Sequence, residues 1–231
     1  MLTLEGLEIR QDAFVLRADL SLQAGALVAV IGPSGAGKST LLNVIAGFFA
    51  PAQGRVLWQG QDITTLPPAK RPVSMLFQDN NLFPHLTVTK NVGLGIRPDL
   101  RLTQEDELRV SDALRRVGLD GYGSRKPGAL SGGQQGRVAL ARVLVQRRPL
   151  ILLDEPFAAL GPALKAEMLD LVADLARETG ATVLMVSHDP SDARRIAPLT
   201  VLVAEGTALQ PQPTGALLDD PPPSLAAYLG N

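Results

Sequence analysis

Residues 32–40 read GPSGAGKST, directly after the apolar run ALVAVIG (26–32) and directly before LLNVIA (41–46). The stretch keeps the spacing G-x-x-x-x-G-K-S/T, and its neighbours supply the buried strand and the helix that this spacing needs. Glycines let backbone N–H groups turn inward onto phosphate oxygens, and a helix start adds positive potential at the same point. Gly32, Pro33, Ser34, Gly35, Ala36, Gly37, Lys38, Ser39 and Thr40 are therefore the candidate phosphate cradle. Lys38 is expected to reach the terminal phosphates, Ser39 to offer its hydroxyl to Mg²⁺, and Thr40 to add a phosphate contact. The plainer reading, a glycine-rich strand–helix turn with an exposed lysine, is the weaker one where the full spacing and both flanks are satisfied together. A nucleoside triphosphate is the expected ligand.

Outward from this loop, two more runs are apolar without alternation: LILLDE (150–155) and TVLMVSH (182–188). Runs of this kind suit strands buried on both faces of a parallel sheet. Helices are expected after the three runs, at 38–47, 162–178 and 189–196. The result is an α/β fold whose ligands sit at the carboxyl ends of strands. The first 25 residues read as two strands with an AG turn, and RVLWQG (55–60) and VSMLFQ (73–78) as further strands. LLNVIAGFFA reads as a buried helix.

Between Gln78 and Ser131 the strand pattern stops. Thr103 is a plausible N-cap, with Glu105, Asp106 and Glu107 in the first turn of a helix. Val110, Ala113, Leu114 and Val117 follow at helical spacing. The expected organisation is a nucleotide-binding core, 1–78 and 141–231, with a helical segment, 79–140, inserted in it. PPPSLAAYLG closes the chain on one more helix.

Composition narrows the function. The 231 residues carry a net charge of −1, without the basic surplus of a dedicated nucleic-acid binder, and no cysteine for disulfides or thiolate metal sites. MLTLEGLEIR alternates like a strand rather than a signal peptide, and no apolar run approaches the ~20 residues of a membrane-spanning helix. If the protein works at a membrane, a partner must hold it there.

Strand ends supply the chemistry. Asp154 at the end of LILLD is placed to hold the Mg²⁺ shell, and the adjacent Glu155 to orient and deprotonate an attacking water. His188 ends TVLMVSH and can donate to a γ-phosphate or hold the water, although Asp189 and Asp192 beside it could simply begin a helix. Gln78 ends VSMLFQ in the same manner and could touch Mg²⁺ or water while joining the core to the insertion.

One motif is left over. LSGGQ (130–134) combines a serine hydroxyl, two glycine N–H groups and a helix start, the physics of a second phosphate clamp. A second copy of the chain resolves the surplus: each copy offers its phosphate loop to one nucleotide and its SGGQ to the other, in a two-fold dimer that closes on ATP.

In this order, GPSGAGKST, Gln78, LSGGQ, LILLDEP and His188 resemble the motifs of the ATP-binding subunits of ATP-binding cassette (ABC) transporters, over essentially the whole chain. The resemblance implies a P-loop NTPase core with N-terminal antiparallel strands and an inserted helical subdomain. It implies ATP and Mg²⁺ as cofactors, Glu155 and His188 as catalytic groups, and Ser39, Gln78 and Asp154 around the metal. Ser131, Gly132, Gly133 and Gln134 are implied to contact the γ-phosphate across a dimer. The implied partners are a second copy, an integral-membrane permease and, indirectly, an external solute-binding protein, with no nucleic acid. The implied location is the cytoplasmic face of the inner membrane. Phe83, Pro84 and Leu86 fall where the family receives a permease helix, or else serve local packing; His85 reads as surface.

RPVSMLFQDNNLFPHLTV, the short tail and the length are most similar to the ATPases of bacterial thiamine importers. Importer ATPases for polyamine, sulfate or iron share much of the pattern but usually carry a further C-terminal domain, for which this chain has no room. Three departures stand out. Gly161 replaces the Asp usual in the loop after the catalytic Glu, Gly136 replaces a common polar residue, and no aromatic cleanly matches the one stacked under adenine. Phe14 is nearest and is expected to face the core. A non-transport ABC ATPase would show two cassettes or a long coiled coil, and a GTPase an N-K-x-D motif; neither is present.

Overall fold

The computed structural model describes residues 1–79, 81–158 and 160–229. Period-two patterning sets the first hairpin: β1 (Leu2–Gln11) pairs antiparallel with β2 (Phe14–Leu22), from Leu2 opposite Leu22 to Gln11 opposite Phe14. The hairpin turns at Asp12, whose φ is 51°. The Ala24–Gly25 turn expected there instead leads from β2 into β3 (Leu27–Ile31). The chain continues through α1 (Lys38–Ala46), β4 (Gln53–Trp58), β5 (Gln61–Asp62), β6 (Val73–Leu76), α2 (Val88–Gly93), α3 (Gln104–Arg116) and α4 (Gly132–Leu144). It closes with β7 (Leu150–Asp154), α5 (Pro162–Thr179), β8 (Thr182–Val186), α6 (Pro190–Ile196), β9 (Leu199–Ala204), β10 (Thr207–Ala208), β11 (Gln212–Pro213), α7 (Thr214–Asp219) and α8 (Pro223–Leu229).

The strands run in the order β5-β4-β1-β2-β10-β9-β3-β8-β7-β6, with β11 added on β9. β9, β3, β8, β7 and β6 are mutually parallel, so the ends of β3, β8, β7 and β6 lie side by side along one edge. Each interior strand is apolar on both faces because each face has its own cover. Val28, Val30, Leu152, Leu184 and Val201 pack with α1 and the β1–β2–β4 layer. Ala29, Ile31, Leu153, Met185 and Leu202 pack with α4, α5 and α6. Fully burying one such Leu, Ile or Val is worth about 1.5–3 kcal/mol, which is why these runs show no alternation.

Among the described residues no strand lies between Leu76 and Leu150. Val88, Val92, Val110, Leu114 and Leu140 from α2, α3 and α4 join Ile31, Leu76 and Leu153 of the sheet in one apolar cluster. Thr103 caps α3 as expected, accepting from Asp106 N at 3.2 Å while Asp106 Oδ2 accepts from Thr103 N at 3.0 Å.

The run LLNVIAGFFA is buried only through Ala46; Phe48 and Phe49 beyond it are 49% and 46% exposed. Gly47 (φ 89°) ends α1, turning the chain outward before the two aromatics. Arg71, 1% exposed, takes up the orphaned carbonyls of α1: Nη1 donates to Val44 O and Ile45 O, both at 2.8 Å.

Candidate active site

A cleft of about 340 Å³ lies over the start of α1, lined by Gln11, Phe14, Ser34, Gly35, Gly37, Lys38, Ser39, Thr40 and Glu155. Its floor depends on glycine. A Cβ on Gly32 (φ 147°) would sit 1.9 Å from Val203 O, and one on Gly37 (φ 100°) 2.5 Å from the Phe14 ring. Phe14 therefore forms a wall of the cleft while its inner side packs on the β1–β2 cluster, and does not turn wholly to the core as expected.

Lys38 is 7% exposed and donates to the carbonyls of Gly32 (2.8 Å) and Pro33 (2.9 Å). An ammonium has three protons, so one remains for an oxygen in the cleft. Burial pushes its pKa down, and the charges of Glu155 and Asp154 oppose that shift. Ser39 Oγ donates to Asp154 Oδ1 at 2.9 Å. Burial raises the Asp154 pKa and the Ser39 hydrogen bond lowers it, with Glu155 adding to the rise and Lys38 opposing it.

Serine hydroxyl and carboxylate are hard oxygen donors, and their adjacency fits Mg²⁺ held by one or two protein oxygens together with phosphates and water. Among the described residues no cluster of three or more His, Cys, Asp or Glu offers an all-protein metal cage.

Glu155 directly follows β7, with φ at 44°, a conformation that costs a non-glycine residue of order 1–3 kcal/mol. Its N–H donates to Val186 O at 3.2 Å, and the left-handed turn sends its carboxylate into the cleft. Oε2 lies 3.4 Å from His188 Nδ1, the histidine being half exposed. The loop that carries His188 is held on both sides. Asp189 N donates to Ser187 Oγ (3.1 Å), and Ser187 Oγ donates to Asp192 Oδ2 (2.5 Å). Lys165 Nζ from α5 reaches Asp189 Oδ2 (2.8 Å) and Asp192 Oδ1 (2.7 Å). Asp189 also caps α6, so the helix start expected from SHDPSD follows the histidine directly.

The phosphate loop, Asp154, Glu155 and His188 thus meet in one place. Gln78 does not end a strand: β6 stops at Leu76, and Gln78 follows in an exposed turn. Ser131, Gly132, Gly133 and Gln134 do not line this cleft. They open α4, where Ser131 Oγ accepts from Gln134 N (3.3 Å) and Gln134 Oε1 from Ser131 N (3.0 Å). Gly161, at the N-cap of α5, makes no side-chain cap.

Sequence reading missed Lys165, Tyr228 and the Phe48–Phe77 pair, whose rings meet edge to face at 5.4 Å beside Gln78. No local spacing announces these contacts; only the exposed Phe48–Phe49 after a helix-ending glycine was available as a signal.

The sequence profile described as ABC transporter matches residues 15–158. The thiamine import ATP-binding protein ThiQ of Cereibacter sphaeroides is 66% identical over 230 residues, covering 100% of both chains. Its namesake in Ruegeria sp. is 62% identical, again over 100% of both, and that of Brucella suis 55% identical over 92% of this chain and 88% of its own. Among solved structures, the ATP-binding cassette MJ0796, in a dimeric post-hydrolysis state bound to ADP and Pi, superposes with a TM-score of 0.81. The two share 30% identity over 93% of this chain and 99% of that one.

Proposed function

The chain belongs to the ABC transporter family of ATP-binding proteins, and from that premise we propose that it is the ATP-hydrolysing motor of a bacterial thiamine importer. One observation carries the hydrolytic reading: Lys38, the Ser39–Asp154 pair and the Glu155–His188 pair lie together at the ends of β3, β7 and β8. Full-length identity of 66% and 62% to thiamine import ATP-binding proteins supports the cargo.

In this reading residues 32–40 wrap the triphosphate through backbone N–H groups, and Lys38 donates a hydrogen bond from its third N–H to a terminal phosphate oxygen. Ser39 and Asp154 would hold a Mg²⁺ ion, with Gln78 proposed near its shell, and the ion would supply neutralisation of the phosphate charge. Glu155 accepts a proton from the attacking water as its oxygen bonds to the γ-phosphorus. The bond to ADP breaks, leaving ADP and phosphate. His188, oriented against Glu155, faces the γ-phosphate and the water.

The second half of the site comes from another copy, which contributes Ser131, Gly132, Gly133 and Gln134 in a head-to-tail dimer; the dimeric state of MJ0796 supports this arrangement. Among the described residues no helix is long and apolar enough to cross a membrane; in this reading a permease holds the motor at the cytoplasmic face. Phe83, 47% exposed, with Pro84, Leu86 and the Phe48–Phe77 pair, forms the apolar surface proposed for that permease. Asn91 holds Phe83 there, bonding its N–H (2.8 Å) and its carbonyl (3.1 Å). The segment 79–140 acts as the helical subdomain that presents both this surface and the SGGQ turn.

The test is uptake of labelled thiamine at low external concentration by cells lacking the gene, complemented with wild type or Glu155→Gln, alongside ATP hydrolysis by the purified chains. Uptake should return only with wild type, and Glu155→Gln should hydrolyse ATP about 10²–10⁴ times more slowly while ATP-bound dimers accumulate. Normal hydrolysis by Glu155→Gln overturns the catalytic assignment, and uptake indifferent to the gene overturns the cargo.

A further inference from the structure

We propose that Tyr228, near the end of the tail helix α8, is a positioning residue for His188, making the tail part of the hydrolytic machinery. Its phenol hydroxyl donates to the main-chain carbonyl of His188, forty residues earlier in the chain. The inference rests on the reading of His188 as a group of the hydrolytic site.

The neighbours of His188 are already fixed. Ser187 N donates to Val30 O at 3.2 Å, anchoring the turn to β3. Asp189 is held by Ser187 Oγ on its N–H and by Lys165 on its carboxylate. The peptide plane between residues 188 and 189 is held at its N–H edge by Ser187 Oγ, and Tyr228 grips its oxygen at the opposite edge, so the plane that carries the histidine is fixed from both sides. The grip is rigid at its far end: Leu225, one turn earlier in α8, is 0% exposed and belongs to the sheet–helix core, and the Tyr228 ring packs on the same cluster. Tyrosine suits the task because two side-chain torsions place an aromatic body in the core and a donor at its tip. Burial, followed by the charges of Glu155 and Asp189, raises the Tyr228 pKa, so the phenol keeps the proton it donates. The histidine whose carbonyl it holds has its Nδ1 3.4 Å from Glu155 Oε2, which links the hydroxyl to the reacting groups through one residue. The tail therefore gives the His188–Glu155 pair a support that neither the α5 nor the β8 contacts supply.

Tyr228→Phe keeps the ring and removes only the donor. Single-turnover ATP hydrolysis by the full-length chain, with Mg²⁺ present, should slow about three- to tenfold, the scale of one hydrogen bond. ATP affinity should stay at its parental value, and the melting temperature should fall by no more than about 1–6 °C, the same hydrogen bond read as stability. In a His188→Ala background the same substitution should change nothing further, a non-additivity that a merely structural tyrosine would not give. An unchanged rate in Tyr228→Phe, or the same fold-loss in both backgrounds, overturns the proposal while leaving the site intact. A parental rate in His188→Ala overturns the reading of His188 itself, and the role of Tyr228 falls with it.

Discussion

Replacing Arg71 by alanine should lower stability without touching the nucleotide site. The guanidinium makes four bonds, to Val44 O and Ile45 O at 2.8 Å, Leu66 O at 2.8 Å and Thr64 O at 2.6 Å, with the residue 1% exposed. Hydrogen bonds to a charged group are worth about 1.5–3 kcal/mol each, about 6–12 kcal/mol for four. Against this stands a desolvation cost of several kcal/mol for a buried cation, and no carboxylate among the described residues makes an ion pair with it. A net loss of about 3–5 kcal/mol remains, the scale of leaving several buried carbonyls without a donor at about 1–3 kcal/mol each. For a chain of this size each kcal/mol moves the melting temperature by about 2–4 °C, so circular dichroism should report a fall of about 6–20 °C. ATP affinity, measured well below the transition, should be parental, because Arg71 acts at the opposite end of α1 from the phosphate loop. Arg71→Lys should fall between, since an ammonium lacks the planar fork that reaches both sides. A melting temperature for Arg71→Ala within about 2 °C of wild type would refute the account of α1.

Two further outcomes are expected. Asp106 is held at a pKa of about 2, first by the Thr103 N–H and then by Arg97, and Asp189 at about 2, chiefly by Lys165. Both lie below the unfolded value of 3.8, so the unfolded chain binds more protons there and stability, complete above about pH 4, is lost as pH falls toward about 2. Melting temperature against pH should show that slope, and Asp106→Asn should flatten it; an identical slope in the variant would count against the assignment. Gly161→Asp should stabilise, because Gly161 already has N-cap backbone angles (φ −65°, ψ 156°), α5 has no acid in its first turn, and a Cβ there meets nothing within 4 Å. The gain is about 0.5–1 kcal/mol, read as a rise in melting temperature; a fall would show that the introduced carboxylate draws Lys165 away from Asp189.

How much of this was legible depended on whether the constraint was local. Gly32 to Ser39 could be read because backbone N–H groups do the binding, so the requirement falls on glycine spacing along one stretch. β3, β7 and β8 could be read because burial on both faces removes alternation, and Asp154 and Glu155 because acids after such a run have one exit. Arg71 could not: the two carbonyls it takes up on α1 lie 26 and 27 residues away, and nothing in its neighbourhood marks it as a cap rather than a solvated cation. Lys165 and Tyr228 are alike in this, each meeting the His188 loop only after the sheet has formed. Gln78 and Phe48 were displaced by a residue or two of boundary, enough to turn a strand end into an exposed turn and a buried helix into an apolar surface.

The two glycines of LSGGQ bear on the surplus motif. Ser131 and Gln134 satisfy each other in a capping box, a reason for both residues within one chain. Gly133 also has an internal reason, since a Cβ there would lie 2.4 Å from the Leu164 methyl of α5. Gly132 has none: a Cβ would meet nothing within 4 Å, and no positive φ demands glycine. Its exposed position at the first turn of α4 would be better filled by alanine for helix stability alone. A glycine that the fold does not need suits a surface that something must approach closely, and the proposed occupant is the nucleotide held by a second copy. The requirement for close approach then falls on Gly132 N–H and Cα, while the Ser131 hydroxyl, which only accepts in the capping box, keeps its proton to donate to the same phosphate.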